Sequence, residues 1–213
     1  MIFRDKQLVL CCALVLAGSV PAAQAGPRED AKAALARGEA ALARGDARTA
    51  RVELLNAIKA DPRLAQARVA QARALLMLGD GAGAQVELER AGALGIAPGA
   101  LRPWRAKAAL IDGQAEDALD EARASDADPR DALLLSRIEG QALSALGRYA
   151  EAVGTYSKAL WHAPPNAALW IDIARLNIAT GDVAAALAAS NRATALAPDD
   201  ADALTLRGVL VRD

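Results

Sequence analysis

A 34-residue period of small residues constrains this chain more than any other feature of its sequence. Steps of 34 residues from Gly147 reach a glycine each time, and the fifth residue after each glycine is alanine. The two columns are Gly45, Gly79, Gly113, Gly147 and Gly181, and Ala50, Ala84, Ala118, Ala152 and Ala186. Two antiparallel helices with two short turns use about 34 residues, and small residues are needed where helices cross closely. The period therefore predicts an all-α solenoid of stacked helix pairs.

The glycine column marks the turn inside each helix pair. Glycine ends a helix at no steric cost where the backbone becomes left-handed. Aspartate follows the glycine in three periods, where it can cap the second helix, at Asp46, Asp80 and Asp182. Proline cannot continue a helix, and it closes most units, at Pro62, Pro98, Pro129, Pro164 and Pro198.

These columns resemble the tetratricopeptide repeat family, which places small residues, a glycine, an aromatic and a proline at fixed positions of a 34-residue unit. The unit that begins at Leu133 supplies them as Gly140, Gly147, Ala152, Tyr156, Ala159 and Pro164. The resemblance implies a right-handed α-solenoid of antiparallel helix pairs over 26–213. It implies units at 31–64, 65–98, 99–132, 133–166 and 167–200, with a half unit at 201–213. The fold is a generic binding scaffold, so it implies a non-enzymatic role in protein–protein contacts.

Two stretches inside the repeats carry further predictions. The second helix of the first unit, over 47–60, has Val52, Leu55 and Ile58 at a spacing typical of core residues. In the third unit, Pro103 stands where the first helix is expected to begin, and glycines and prolines are dense over 91–103. That density predicts either a hinge or a drifted repeat with a longer turn. Trp104, directly after it, is read as a packing residue, with a ligand contact as the alternative.

Residues 1–25 precede the repeats and have the composition of a secretory signal. Arg4 and Lys6 are basic, 8–20 is apolar, and 23–25 offers small residues to a signal peptidase. We expect cleavage before Gly26 and a secreted, periplasmic protein with no membrane span. An uncleaved anchor is the alternative, although its apolar run is shorter than the about 20 residues that a span needs. Lipoprotein processing at Cys11 or Cys12 fits poorly, because a bulky leucine precedes the pair.

Charge and cysteine content narrow the function classes. Cleavage would remove both cysteines and with them any disulfide or thiol chemistry. The chain has 25 Lys and Arg against 26 Asp and Glu, and a formal net charge of −1. Such a balance argues against nucleic acid as a partner, since its phosphates require a basic face. The sequence has a single histidine, His162, and no catalytic or metal-binding motif, so we expect no enzymatic activity and no cofactor.

The resemblance also places a binding groove. In this family the first helix of each unit lines the concave surface, and positions 2, 5, 9 and 12 face the groove. Position 9 reads Glu39, Arg73, Lys107, Gln141 and Arg175, and Arg137 stands at position 5 of its unit. We predict a positive stripe of Arg73, Lys107, Arg137 and Arg175 that binds a protein or peptide partner, as an extended acidic segment, or an anionic polymer. The alternative is that these cations pair with acidic residues on adjacent helices. The Lys–Asn–Arg carboxylate clamp of chaperone-type members is not reproduced.

A second function remains open at the C-terminal end. The alanine- and arginine-rich repeats behind a secretory signal are similar to bacterial envelope proteins of exopolysaccharide export and protein sorting. The residues of the half unit are too apolar for a solenoid cap, namely Leu204, Leu206, Val209, Leu210 and Val211. They predict either a longer repeat protein of which this chain is a fragment, or a structural subunit that docks into an envelope assembly through this end.

Overall fold

The computed structural model describes residues 26–162 and 164–211, so the predicted signal at 1–25 lies outside the described residues. The described residues form eleven α-helices and one short 3-10 turn, Pro129–Asp131, with no strand among them. The helices are α1 (Pro27–Ala43), α2 (Ala47–Ala60), α3 (Ala65–Met77), α4 (Gly81–Ala93), α5 (Pro98–Ile111), α6 (Ala115–Arg123), α7 (Ala132–Ala145), α8 (Tyr149–His162), α9 (Ala167–Ala179), α10 (Val183–Leu196) and α11 (Ala201–Leu210).

The helices stack as a solenoid. Each odd-numbered helix packs against the even-numbered helix that follows it, and it also contacts the next odd-numbered helix. Helices α1, α3, α5, α7, α9 and α11 therefore form a continuous layer, which we call the first-helix layer. The even-numbered helices pack against this layer. The predicted all-α solenoid is confirmed, and its core is a series of small clusters between neighbouring pairs.

The turns inside the pairs have the predicted geometry. The five glycines of the column have φ between 72° and 81°, in the left-handed region. The following aspartates cap the second helices: Asp46 accepts from the backbone N–H of Thr49 at 3.1 Å, and Asp182 accepts from that of Ala185 at 2.9 Å. Asp80 does the same for Gly83 at 2.8 Å. Local backbone chemistry thus shapes these five turns and caps α2, α4 and α10.

Substituting the glycine of one turn tests this geometry. We expect Gly147→Ala to lower the free energy of unfolding by about 1 kcal/mol, because alanine is strained at a φ of 72°. We expect Gly147→Asn to cost less, since asparagine tolerates the left-handed region better than alanine. Urea denaturation followed by circular dichroism measures both variants. Equal losses for the two would contradict strain as the cause.

Close crossings explain the small residues of the period. A Cβ atom added at Gly38 would lie 2.5 Å from Cγ of Leu54, and one added at Gly140 would overlap the ring of Tyr156. The interpretation of Val52 and Leu55 as core residues is wrong, because they are 58% and 47% exposed. Ile58 is only half-buried. Helix α2 instead buries Ala50, Leu54 and Ala57, because these residues face the first-helix layer.

The third unit also corrects a prediction. Helix α5 begins at Pro98, where proline suits the first turn, so Pro103 is buried inside the helix rather than at its start. Trp104 is half-buried and packs against the cluster that contains Leu101, which agrees with the packing interpretation. The second helix of this unit, α6, has only 9 residues. The irregular part of this unit therefore also includes the residues between α6 and α7.

Some aromatic and apolar side chains of α8 and α11 lie at the surface. Trp161 is 85% exposed at the end of α8, and His162 beside it is exposed too. On α11, Leu204 and Val209 are exposed while Leu210 is buried. Within the described ranges, every helix is too short or too polar to cross a bilayer.

Candidate functional site

The four predicted site residues lie on four consecutive helices of the first-helix layer. Arg73 is on α3, Lys107 on α5, Arg137 on α7 and Arg175 on α9. The four cations nevertheless differ in their surroundings, and only the structure distinguishes them. We refer to the surface that carries them as the groove.

Arg137 is bound by a carboxylate from the next helix of the layer. Its Nε donates to Oδ2 of Asp172 at 2.6 Å, and Nε2 of Gln141 donates to Oδ1 of the same carboxylate at 2.6 Å. The Asp172 side chain has no exposed surface, whereas that of Arg137 is 23% exposed. Burial raises the pKa of Asp172 above its ordinary value, and the charge and hydrogen bond of Arg137 partly oppose this rise. The carboxylate therefore links α7 to α9 and neutralises Arg137.

Lys107 is the cation of the groove that lacks a partner within residues 26–162 and 164–211. It is half-buried on α5, and its side chain makes no ion pair with the described residues around it. Burial lowers the pKa of Lys107, the charge of Arg137 lowers it further, and Asp172 has the opposite effect. The charge of Asp172 thus acts on Lys107, but the carboxylate itself is bound by Arg137. One positive charge is left over at this point of the groove.

The outer two cations already have contacts. Arg175 is exposed, and its Nη2 lies 3.1 Å from Oδ2 of Asp202 on α11. The guanidinium of Arg73 lies over the ring of Trp104, 5.1 Å from the ring centre, in a cation–π contact. Pairing across adjacent helices, the alternative considered from sequence, thus describes Arg137 and Arg175. The role of the four residues as a binding stripe stays a prediction.

A cavity of ≈ 230 Å³ opens beside Asp172 and Arg175, between α7 and α9. We call it the α7–α9 pocket, and its lining residues are Gln141, Ser144, Tyr156, Asp172, Arg175 and Leu176. Tyr156 comes from α8 and reaches the pocket because Gly140 has no side chain in its path. Burial raises the pKa of Tyr156, and the Ser144 side chain lies beside its phenol.

Sequence reasoning did not select Asp172, Ser144 or the Tyr156 hydroxyl as site residues. A signal for Asp172 was present, because it is the one acid in the apolar run 167–174 of a predicted first helix. It also follows Arg137 by 35 residues, one period and one residue. Nothing in the sequence distinguishes Ser144 or the Tyr156 hydroxyl from ordinary surface and packing residues.

A larger cavity of ≈ 560 Å³ lies between α4, α5 and α6. Arg102 lines it, but Glu121 at 2.6 Å and Asp126 at 3.0 Å already bind its guanidinium. The acidic residues Asp117 and Asp120 are exposed to water. This arrangement favours no ligand class, so the smaller pocket in the groove is the better candidate. In the described part of the chain, no group of three or more His, Cys, Asp or Glu side chains is placed to hold a metal ion.

Comparison with known proteins supports the repeat family. Residues 143–210 match the sequence profile described as tetratricopeptide repeat. A comparison with curated proteins found no match. Solved structures with a similar fold include a thermophilic tetratricopeptide repeat protein of Thermus thermophilus, at 21% identity and a TM-score of 0.74, covering 86% of this chain and 100% of that one.

Two further structures are similar at lower scores. PilW, a type IV pilus biogenesis factor, has 17% identity and a TM-score of 0.64, with coverage of 85% of this chain and 84% of that one. YrrB, a repeat protein with an unusual peptide-binding site, has 17% identity and a TM-score of 0.52, with coverage of 84% and 92%. At such identities the structures show the fold alone.

Proposed function

We propose that this chain, a tetratricopeptide repeat solenoid, is a non-enzymatic interaction scaffold that binds an extended acidic segment of a partner protein in its groove. The observation that carries the proposal is Lys107, a half-buried ammonium with no partner in the described residues. A partly desolvated cation gains from a hydrogen-bonded anion. The carboxylate whose charge acts on Lys107, that of Asp172, is already bound by Arg137 and Gln141.

The layout of the groove favours an extended segment over a compact ligand. Its cations lie on successive helices, whose axes are about 8 to 10 Å apart in ordinary helix packing. An extended chain advances about 3.3 Å per residue, so acidic side chains two to three residues apart would match this spacing. The peptide-binding site of YrrB supports the same use of the fold. An anionic polymer is the competing ligand, and polyglucuronate represents it in the binding assay.

We propose further that the protein acts in the bacterial envelope. The support is the signal-like composition of residues 1–25 and the fold shared with PilW, a pilus biogenesis factor. Cell fractionation followed by mass spectrometry of the mature N-terminus tests this. We expect the periplasmic fraction to contain a chain that begins at Gly26. A cytoplasmic chain with residues 1–25 intact would contradict the proposal.

A second candidate is a structural subunit that docks through α11. Its support is the exposure of Leu204 and Val209 on one helix, together with the exposed Val211. Analytical ultracentrifugation separates this candidate from the groove binder. A stable oligomer that dissociates in a Leu204→Ser, Val209→Ser variant would favour docking, whereas a monomer that binds acidic peptides would favour the groove.

Removing the charge of Lys107 tests the groove. We expect Lys107→Gln to weaken binding of fluorescein-labelled, glutamate-rich dodecapeptides about tenfold, which corresponds to about 1.4 kcal/mol. The matched control is Lys158→Gln, which removes an exposed lysine from α8, outside the first-helix layer. Fluorescence anisotropy at low and high salt measures each affinity, with polyglucuronate as the competing polymer. Equal affinities for the two variants, or preferential binding of the polymer, would contradict the peptide proposal.

The pH dependence of the same binding reports on Lys107 directly. Its pKa is below the ordinary lysine value because of burial and Arg137. The ammonium therefore deprotonates at lower pH than an exposed lysine does, and binding of an acidic peptide should weaken as the pH rises through that pKa. We expect this alkaline loss in the wild type and in Lys158→Gln, and its absence in Lys107→Gln. Isothermal titration in buffers of rising pH measures it.

A further inference from the structure

We infer that the α7–α9 pocket takes an uncharged side-chain amide, asparagine or glutamine, from the acidic segment that binds the groove. This inference rests on the proposed function and specifies one residue of the partner. It comes from the hydrogen-bonding capacity that the pocket residues have left once their internal bonds are counted. It also comes from the charges that surround the pocket.

The internal bonds use up donors and leave acceptors. The Gln141 amide nitrogen donates to Asp172 at 2.6 Å, and the Ser144 hydroxyl donates to the carbonyl of Gly140 at 2.8 Å. The amide oxygen of Gln141 therefore remains available as an acceptor, and Ser144 Oγ, which also bonds with the Tyr156 phenol, keeps one further lone pair. On the opposite wall, Arg175 uses Nη2 for Asp202 and keeps further N–H donors. A ligand thus meets acceptors on α7 and a donor on α9.

A primary amide matches this arrangement with one group. Its NH₂ donates to Gln141 and Ser144, and its carbonyl oxygen accepts from Arg175. An apolar side chain of the same size would leave these pocket atoms without partners on losing their water. The amide is therefore favoured over its apolar isostere.

The charges around the pocket disfavour ionised side chains. A carboxylate in the pocket would meet Arg175, but it would also lie next to the buried carboxylate of Asp172 and would face the acceptors of α7. An ammonium or guanidinium would approach Arg175 and the excess positive charge shared by Lys107 and Arg137. A neutral group that both donates and accepts avoids the two penalties.

The pocket is preformed and adjoins the anion site. Its back wall includes Tyr156, which is 2% exposed and held against Gly140. The carboxylate of Asp172 is fixed by two hydrogen bonds of 2.6 Å. The anion site, by which we mean the surroundings of Lys107 and Arg137, involves α5 and α7, and the pocket lies one helix further along. One interhelix step of about 8 to 10 Å corresponds to two or three residues of an extended chain.

Defined peptides test this register and chemistry. Each labelled dodecapeptide carries three glutamates and one test residue in a Gly-Ser background. The test residue stands two or three positions before or after the glutamates. The test residues are glutamine, glutamate as its charged isostere, methionine as its apolar counterpart, and lysine. In one register we expect the glutamine peptide to bind about tenfold tighter than the methionine peptide, and tighter than the glutamate peptide despite the lower charge. Fluorescence anisotropy gives the affinities.

Variants of the protein assign the preference to the pocket. Ser144→Leu fills the pocket, so the tighter binding of the glutamine peptide should disappear. The peptides should still bind through their three glutamates. Ser157→Leu, the same change at an exposed position of α8, should leave the advantage intact. Ser144→Ala removes one acceptor without added bulk and should reduce the advantage about threefold, which keeps the test valid if Ser144→Leu misfolds by circular dichroism. Lys107→Gln should weaken the binding of all four peptides by the same factor.

The outcomes separate the two proposals. Equal affinity for the four test residues, or the tightest binding for glutamate, would overturn the amide pocket and leave the binding of acidic segments in the groove standing. A glutamine preference that survives Ser144→Leu would place the preference elsewhere and overturn the pocket as well. Failure of every peptide to bind would overturn the proposed function together with the pocket.

Discussion

Replacing Asp172 with leucine is expected to lower the free energy of unfolding by about 3 kcal/mol. Leucine is bulkier than the enclosed aspartate, and Arg137 and Gln141 would lose the acceptor that both of them share. Breaking a buried ion pair by removing one partner costs about 3 to 5 kcal/mol. We place this case at the low end because the Arg137 side chain keeps 23% of its surface exposed and can regain water.

Asparagine at the same position separates charge from hydrogen bonding. Asp172→Asn keeps one acceptor oxygen, and burial already penalises the charged form of the aspartate. Asparagine loses the charge and one of the two acceptors, so we expect a loss of about 1 to 2 kcal/mol, smaller than for leucine. Asp202→Asn, which removes the exposed partner of Arg175, is the surface control and should change stability little. Urea denaturation at pH 7 measures all three. A leucine variant as stable as the asparagine variant would show that the acceptor oxygen kept by asparagine contributes nothing.

The same residue gives a pH dependence of defined sign. Because the folded-state pKa of Asp172 is raised, the folded chain binds this proton more tightly than the unfolded chain does. The contribution of Asp172 to stability is therefore greatest at low pH and is lost as the pH rises through the folded-state pKa. Relative to Asp172→Asn, the wild type should gain stability as the pH falls through the folded-state pKa of Asp172. A constant difference between the two proteins across that range would contradict the raised pKa.

The second large effect is a pair of glycine substitutions with opposite signs. Gly140→Ala is expected to lower the free energy of unfolding by about 2 to 3 kcal/mol, because the new methyl group would overlap Cε1 and Cζ of Tyr156. Gly154→Ala is expected to raise it by about 0.5 to 1 kcal/mol. Gly154 lies within α8 with no other atoms within 4 Å of an added Cβ, so alanine only lowers the entropy of the unfolded chain.

The pair is informative because both glycines are helical and receive the same methyl group. Helix propensity favours alanine at each position, so only the close approach of Tyr156 distinguishes them. Gly140→Ala should also displace the Tyr156 hydroxyl from the α7–α9 pocket and reduce the predicted preference for glutamine peptides. Chemical denaturation gives the stabilities, and near-ultraviolet circular dichroism reports on the tyrosine environment. Stabilisation by both substitutions would contradict the packing at Gly140.

Much of the fold could be read from the sequence because its determinants are local. The left-handed turn at Gly147 and the cap at Asp182 each involve a few neighbouring residues, and the 34-residue period repeats them. The predicted second helix over 47–60 coincides with α2. The failures have tertiary causes. Val52 and Leu55 have the spacing of a buried face, but α2 turns that face to solvent and buries smaller residues.

Some features of the candidate site could likewise be predicted from the sequence, and others could not. The sequence by itself determined the repeat, its turns and caps, and the column that carries Arg73, Lys107 and Arg175, because a fixed period aligns equivalent residues on successive helices. It could not determine which cations are neutralised, because the partners come from the next repeat and their pairing depends on side-chain direction and burial. Only the tertiary structure placed Asp172 against Arg137, Trp104 under Arg73 and no partner beside Lys107 in the described residues. The desolvation that distinguishes Lys107 exists only once neighbouring helices exclude water from it.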